Sequence, residues 1–126
     1  MDLNQRTYVR DVMSTPLETV SQDTTIEEAA QVMCEKDINA LVVSTYPPSI
    51  ITSSDVLEAV AAGEDTAELS VTAVMTESVE TVPPDLLVEE VAAMMTTFGI
   101  KHLPVEEGDD EFVGMISSTD IMANQS

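Results

Sequence analysis

Apolar residues recur with two different periods along this chain. Ile26, Ala29, Ala30 and Met33 fall at i, i+3, i+4 and i+7, the spacing of one helix face. Thr25-Ile-Glu-Glu28 opens that stripe with a hydroxyl at the cap position and an acid three residues on, a capping box that marks the helix start. Before it, Leu17-Glu-Thr-Val20 alternates apolar and polar, the period of a strand. After it, residues 38–43 and 50–51 are apolar and rich in β-branched side chains, as buried strands are. A second helix is expected from Thr52 through Val56, Leu57 and Val60, stopping near Gly63. The order is β-α-β-β-α.

The same order then comes again. Residues 9–43 align without a gap on residues 71–105, with Val9 on Val71, Met13 on Met75, Glu28 on Glu90, Met33 on Met95 and Val43 on Val105. Val88, Val91, Ala92 and Met95 repeat the helical stripe, and Pro83-Pro84-Asp85 punctuates its start. Val79-Glu-Thr-Val82 repeats the alternating strand, and residues 100–105 repeat the buried one. The turn that follows is Ser44-Thr-Tyr-Pro-Pro-Ser49 in the first copy. In the second it is acidic with a central glycine, a hairpin signal. Ser49-Ile-Ile-Thr-Ser-Ser-Asp55 then matches Gly114-Met-Ile-Ser-Ser-Thr-Asp120. A unit of about 60 residues alone buries too little surface to be comfortably stable, so the two copies are expected to pack on each other. The boundaries are 8–63 for the first repeat, 64–70 for a linker and 71–126 for the second.

Charge narrows the range of partners. Against 24 acidic residues stand 4 basic ones, a net charge of −20, which repels nucleic acid and anionic membranes. Hydrophobic residues still make up 44% of the chain, too many for a disordered acidic segment. The acids are scattered, as in proteins of extreme halophiles, where molar salt cuts the Debye length to about 3 Å. A solvated acidic surface is the plain reading; Mg²⁺ on the acidic face is the alternative. No run of about 18 apolar residues and no secretory leader is present, which points to the cytoplasm. The single Cys34 has apolar helical neighbours and is expected to be a small buried thiol. There is no metal-spaced Cys or His, no Ser/His/Asp order and no glycine-rich phosphate loop, so the chain is read as non-catalytic, without a metal or a required cofactor.

Thr52-x-x-Asp55 and Ser117-x-x-Asp120 are the candidate binding motifs. A carboxylate is acceptor-only and takes both hydroxyls of a vicinal diol. The first-turn N–H groups, with Ser53, Ser54, Ser118 and Thr119, form a potential phosphate cradle. The same spacing also serves as a helix cap alone. Lys101 and His102 precede Leu103-Pro104-Val105, and a cation there would offset the general negative field for an anionic ligand; the alternative is an exposed strand-end lysine and a satisfied histidine. Arg6 and Arg10 could reach a partner or a cleft, and the sequence does not decide.

The ordered set resembles the CBS domain, and the whole chain resembles a tandem CBS pair, or Bateman module. The likeness rests on the Val12-Met13 and Val74-Met75 openings, on Phe98-Gly-Ile-Lys-His-Leu-Pro-Val105 and on Gly114-Met-Ile-Ser-Ser-Thr-Asp120, and it spans about residues 8–124. It implies an α/β (α+β) fold of two β-α-β-β-α repeats packed through their sheets about a pseudo-twofold axis, and a homodimeric disc. It further implies a regulatory module that binds AMP, ADP, ATP or S-adenosylmethionine in clefts between the repeats and acts on an unidentified protein partner. The resemblance places ribose on Asp55 and Asp120 with Thr52 and Ser117. It places phosphate on Lys101 and His102 with the nearby hydroxyls, and adenine against Ala40, Ile50 and Met115. The rival reading is a dimerising interaction module with empty or vestigial clefts. Ser49 stands where the second copy has Gly114, and Asn39-Ala40 where it has Lys101-His102, so only one cleft is expected to bind a phosphorylated ligand well.

Overall fold

A computed structural model describes residues 6–15, 17–77, 79–108 and 111–123. The chain divides into two compact units, one of Glu18–Val79 and one of the described residues in Met1–Leu17 and Glu80–Ser126.

In the first unit, β1 (Thr19–Val20), α2 (Ile26–Lys36), β2 (Ala40–Val43), β3 (Ser49–Thr52) and α3 (Ser53–Ala61) follow in order. The sheet runs β1-β2-β3, with β1 parallel and β3 antiparallel to β2. The second unit contains α1 (Val9–Val12), α4 (Val88–Phe98), β4 (His102–Glu106), β5 (Phe112–Ser117) and α5 (Ser118–Ala123). Here β4 and β5 form an antiparallel pair with a register shift between Val105 and Glu106. The counterpart of β1 is reduced to a single parallel bridge, Val82 to Val105. Val42 donates its N–H to the Glu18 carbonyl at 3.1 Å, but its counterpart Pro104 has no N–H to donate to Glu80, so the ladder is limited to the bonds on either side of Val82.

The helical stripes are where the apolar spacing places them. Ile26, Ala29 and Met33 on α2, and Val88, Val91 and Met95 on α4, are buried, while Ala30 and Ala92 are half-buried. Ala29 and Met33 pack with Leu41, Val43 and Ile51 in one unit, and Val88, Val91 and Met95 with Leu103, Val105 and Ile116 in the other. Burying each of the larger side chains contributes on the order of 1.5–3 kcal/mol. The capping box forms as well. The Thr25 Oγ1 accepts from the Glu28 N–H at 3.1 Å, and the Glu28 carboxylate accepts from the Thr25 N–H at 3.0 Å. These hydrogen bonds, the backbone one foremost, lower the Glu28 pKa from the ordinary 4.5. The box therefore contributes fully above that value and fades as pH falls through the depressed one.

Both long helices end alike. Asp37 (φ 55°) and Gly99 (φ 67°) are left-handed, and the N–H groups of Ile38 and Ile100 return to the carbonyls of Met33 and Met95. This closure uses residues 38 and 100, so β2 and β4 begin two residues later than the apolar runs suggest. Glycine suits the left-handed position and aspartate is strained there. Asp37→Gly is accordingly expected to raise stability by about 0.5–1 kcal/mol, read from denaturant melts in molar KCl.

One sequence expectation needs correction, and the burial of two helices is newly seen. Cys34 is exposed, because it lies a third of a turn past buried Met33. On α3 the buried residue is Ala59, with Val56 packed at the edge of the core; Leu57 and Val60 are 69% and 58% exposed. In the second unit Ile121 is buried while Met122, at the position equivalent to Leu57, is 71% exposed.

The repeats also exchange their openings. Val9 is fully buried among Val82, Val88 and Val91, and Val71 among Ala29, Leu41 and Ile51. The Val9 N–H donates to the Leu86 carbonyl, and the Val71 N–H donates to the Thr24 carbonyl. The Val88 N–H bonds to Thr7, and that of Ile26 to Leu69. Each compact unit thus takes its first segment from the other copy of the sequence pattern.

Candidate functional site

Strand register assembles the candidate residues within each unit. Ala40 lies opposite Thr52 in the β2–β3 pair, and His102 lies opposite Ser117 in the β4–β5 pair. The residue before each strand touches the start of the following helix. The Ser53 N–H donates to the Asn39 carbonyl at 2.9 Å, and the Ser118 N–H to the Lys101 carbonyl at 2.9 Å. Asn39 and Ala40 therefore lie against Thr52 and Ser53, and Lys101 and His102 against Ser117 and Ser118.

Both acids form capping interactions. Asp55 Oδ2 accepts from the Thr52 N–H at 2.8 Å and the Thr52 hydroxyl at 3.0 Å, while the Asp55 N–H donates back to Thr52 Oγ1 at 3.3 Å. Asp120 Oδ2 accepts from the Ser117 N–H at 2.9 Å, and the Asp120 N–H donates to Ser117 Oγ at 3.1 Å. Thr52, Asp55, Ser117 and Asp120 are all half-buried, and Lys101 is exposed. The cap holds each carboxylate in one orientation at the mouth of its helix.

The backbone cradle is smaller than the sequence suggests. Of the first three N–H groups of α3, those of Ser53 and Asp55 are already spent, and in α5 those of Ser118 and Asp120 are. Ser54 and Thr119 supply the remaining first-turn donors, alongside the side chains of Lys101, His102 and the serines.

Ile50 and Met115 are buried, and their backbones are engaged. Ile50 exchanges two hydrogen bonds with Thr76, at 2.9 and 2.8 Å, and Met115 exchanges two with Ser14, at 2.8 and 3.0 Å. Gly114 faces the same opening segment: a Cβ there would lie 2.7 Å from the Ser14 carbonyl oxygen and 2.9 Å from Met13 Sδ. The glycine admits the backbone of Ser14, a reason that the sequence alone did not offer. Ser49, its counterpart, is buried with its hydroxyl 2.6 Å from that of Thr45.

Arg10, left undecided by the sequence, borders a cavity of about 460 Å³ in the second unit, together with Pro83, Asp85 and Glu107. The one sequence signal for it was its rarity among so many acids. Among the described residues, no group of three or more His, Cys, Asp or Glu is placed to hold a metal, and no helix is long and apolar enough to cross a membrane.

The CBS domain family model matches residues 9–62 and 71–126. Over 118 residues the chain is 35% identical to a homoserine O-acetyltransferase of Methanohalobium evestigatum, a match that covers 91% of this chain and 23% of that one. The chain thus spans about a quarter of the length of that relative. Among solved structures, the CBS domain pair of protein MJ0100 in complex with 5′-methylthioadenosine and S-adenosyl-L-methionine is 30% identical, with a TM-score of 0.81. That likeness covers 94% of this chain and 95% of that one. A hexameric CBS-CP12 protein from bloom-forming cyanobacteria is 26% identical with a TM-score of 0.91, covering 98% of this chain and 74% of that one.

Proposed function

Because this chain belongs to the CBS domain family, as a tandem pair of CBS repeats, we propose that it is a regulatory module without catalysis that binds an adenosyl ligand and passes the binding on to a protein partner. The observation that carries the reading is the twofold occurrence of one constellation. A Ser/Thr-x-x-Asp box opens a helix in each unit, and the residues before the central strand lie against it. The solved pair with 5′-methylthioadenosine and S-adenosyl-L-methionine is a relative of matching extent and supports that ligand class. Asp55 and Asp120 accept ribose hydroxyls; at Asp55 the cap uses Oδ2, so Oδ1 faces the diol. Ala40, Ile50 and Met115 offer apolar contact to adenine. Ligand binding shifts the chain toward the conformation that binds it best.

The two sites differ in charge. Lys101 and His102 adjoin the Asp120 box, whereas Asn39 and Ala40 adjoin the Asp55 box. Phosphorylated ligands therefore favour the Asp120 site, where Ser118 and Thr119 assist, and uncharged adenosyl groups suit the other, where Ser53 and Ser54 are the neighbours. Calorimetric titration in molar KCl with AMP, ADP, ATP, S-adenosylmethionine and adenosine is expected to give binding for at least one, with Lys101→Ala weakening the nucleotides by about tenfold and leaving adenosine little changed. Absence of binding by all five ligands would refute the adenosyl reading and favour a purely structural module.

The outer faces of α3 and α5 suit a second copy of the chain. Leu57 and Val60 are exposed on one and Met122 on the other, in a protein whose surface is otherwise strongly acidic. A dimer is the expected species in sedimentation at molar KCl, and Leu57→Asp with Met122→Asp is expected to give monomers.

A further inference from the structure

We infer that the cavity beside Arg10 is a second ligand site, separate from both Asp boxes, and that it takes a zwitterionic α-amino acid with an apolar side chain. The cavity lies wholly within the second unit, between α1, the Pro83-Pro84 turn and the β4–β5 hairpin. Its volume of about 460 Å³ falls in the range of small-molecule sites and exceeds what one such molecule needs. Both signs of charge line it: Arg10, with Asp85, Glu106 and Glu107. Met13, Pro83 and Val113 supply apolar wall.

The partners of the lining side chains point to the charge of the occupant. Arg10 is one of four Lys and Arg residues in a chain with 24 acids, yet its described partner is the Tyr8 ring, 4.5 Å from the guanidinium carbon. The neighbouring Asp11 is committed to the Tyr8 N–H at 2.8 Å. The planar guanidinium fork, stacked and exposed, is matched to a carboxylate, and among the described residues none is paired with it. Along the same cavity, neither Asp85 nor Glu107 has a described side-chain partner, and both are exposed. They offer acceptors to an ammonium. A free anion meets the general negative field of the chain, and a free cation meets Arg10; a molecule carrying both groups on one carbon satisfies each end.

The arrangement is particular to this unit. The residues equivalent to Arg10, Pro83 and Glu107 in the other repeat are Thr72, Ser21 and Thr45. The Gln22 amide there reaches the Ser44 carbonyl at 3.4 Å, across the equivalent of the cavity mouth. The site is therefore not a by-product of the duplication.

Methyl-detected NMR of the whole chain in molar KCl tests this on Met13 and Val113. The probes are L-alanine, L-leucine, L-methionine and L-phenylalanine, each also as its N-acetyl and its methyl ester derivative. The expected result is saturable shifts at both methyl groups with at least one free amino acid, weakened about tenfold or more by either blocking group, and by Arg10→Gln. Arg10→Lys is expected to restore part of the affinity, since it keeps the charge without the fork. Equal binding of blocked and free forms overturns the inference, as does the absence of shifts with all four amino acids. Circular dichroism at the same salt checks that Arg10→Gln is folded, and the comparison of free and blocked ligands on the unaltered chain does not depend on that variant.

Discussion

Replacing both Asp55 and Asp120 by asparagine is expected to weaken the adenosyl ligand by about ten- to hundredfold at each site while the fold survives. The amide oxygen of asparagine can still accept from the Thr52 and Ser117 N–H groups, so most of each cap remains, at a cost of about 0.5–1 kcal/mol per helix. What is lost is the ionised acceptor. At Asp55 the amide group turns a donor toward the ribose hydroxyls in place of Oδ1, and the charge-assisted bonds, worth about 1.5–3 kcal/mol, go with it. Titration of the double variant, alongside its melting curve, separates binding from folding. Unchanged affinity in a folded double variant would mean that the two boxes are caps and nothing more.

The second large effect is structural. Gly114→Ala is expected to cost about 2–3 kcal/mol, measured by denaturant unfolding in molar KCl. Its Cβ would meet backbone, the Ser14 carbonyl oxygen at 2.7 Å, which cannot swing aside as a side chain can. Relief requires the opening segment to lift from β5 and loosen the two bonds between Ser14 and Met115. Each contributes about 1 kcal/mol net, and Met13 loses its packing beside them. A variant as stable as the parent would show that the opening segment adjusts freely, and with it that the close approach at Gly114 is not a constraint.

The fold was legible in the sequence wherever its cause is local. A helical stripe such as Val88, Val91 and Met95 repeats at 3.6 residues because only one face meets the core. A box such as Thr25 to Glu28 closes within a single turn, so its residue types and spacing suffice to place it. The family followed from the same residues. The exchange of opening segments was not legible, because it depends on backbone bonds such as Val9 to Leu86 that carry no side-chain signature. Periodicity also cannot tell a core face from an outer one when both are apolar: Leu57 and Val60 satisfy helical spacing as well as Val56 and Ala59 do. Cys34 was misjudged for a related reason, since adjacency to Met33 in sequence is a rotation of about 100° around the helix.

The candidate site was legible as a set of motifs, and less so as chemistry. Ser/Thr-x-x-Asp is equally the spelling of a cap and of a diol receptor, and the structure presents the cap in full. The phosphate cradle lost four of its six first-turn N–H groups, two to Asn39 and Lys101 through strand register and two to the caps at Thr52 and Ser117. The Arg10 cavity was beyond reach for another reason: four separate stretches of chain line it, and no one of them carries a motif.

The most direct test of the central claim is a crystal structure of the whole chain grown in molar KCl with the adenosyl compound that binds best in titration. Ribose hydroxyls are expected within hydrogen-bonding distance of Asp120 or Asp55, with any phosphate beside Lys101. A bound ligand whose ribose lies away from both carboxylates, or sites left empty at saturating ligand, would contradict the claim.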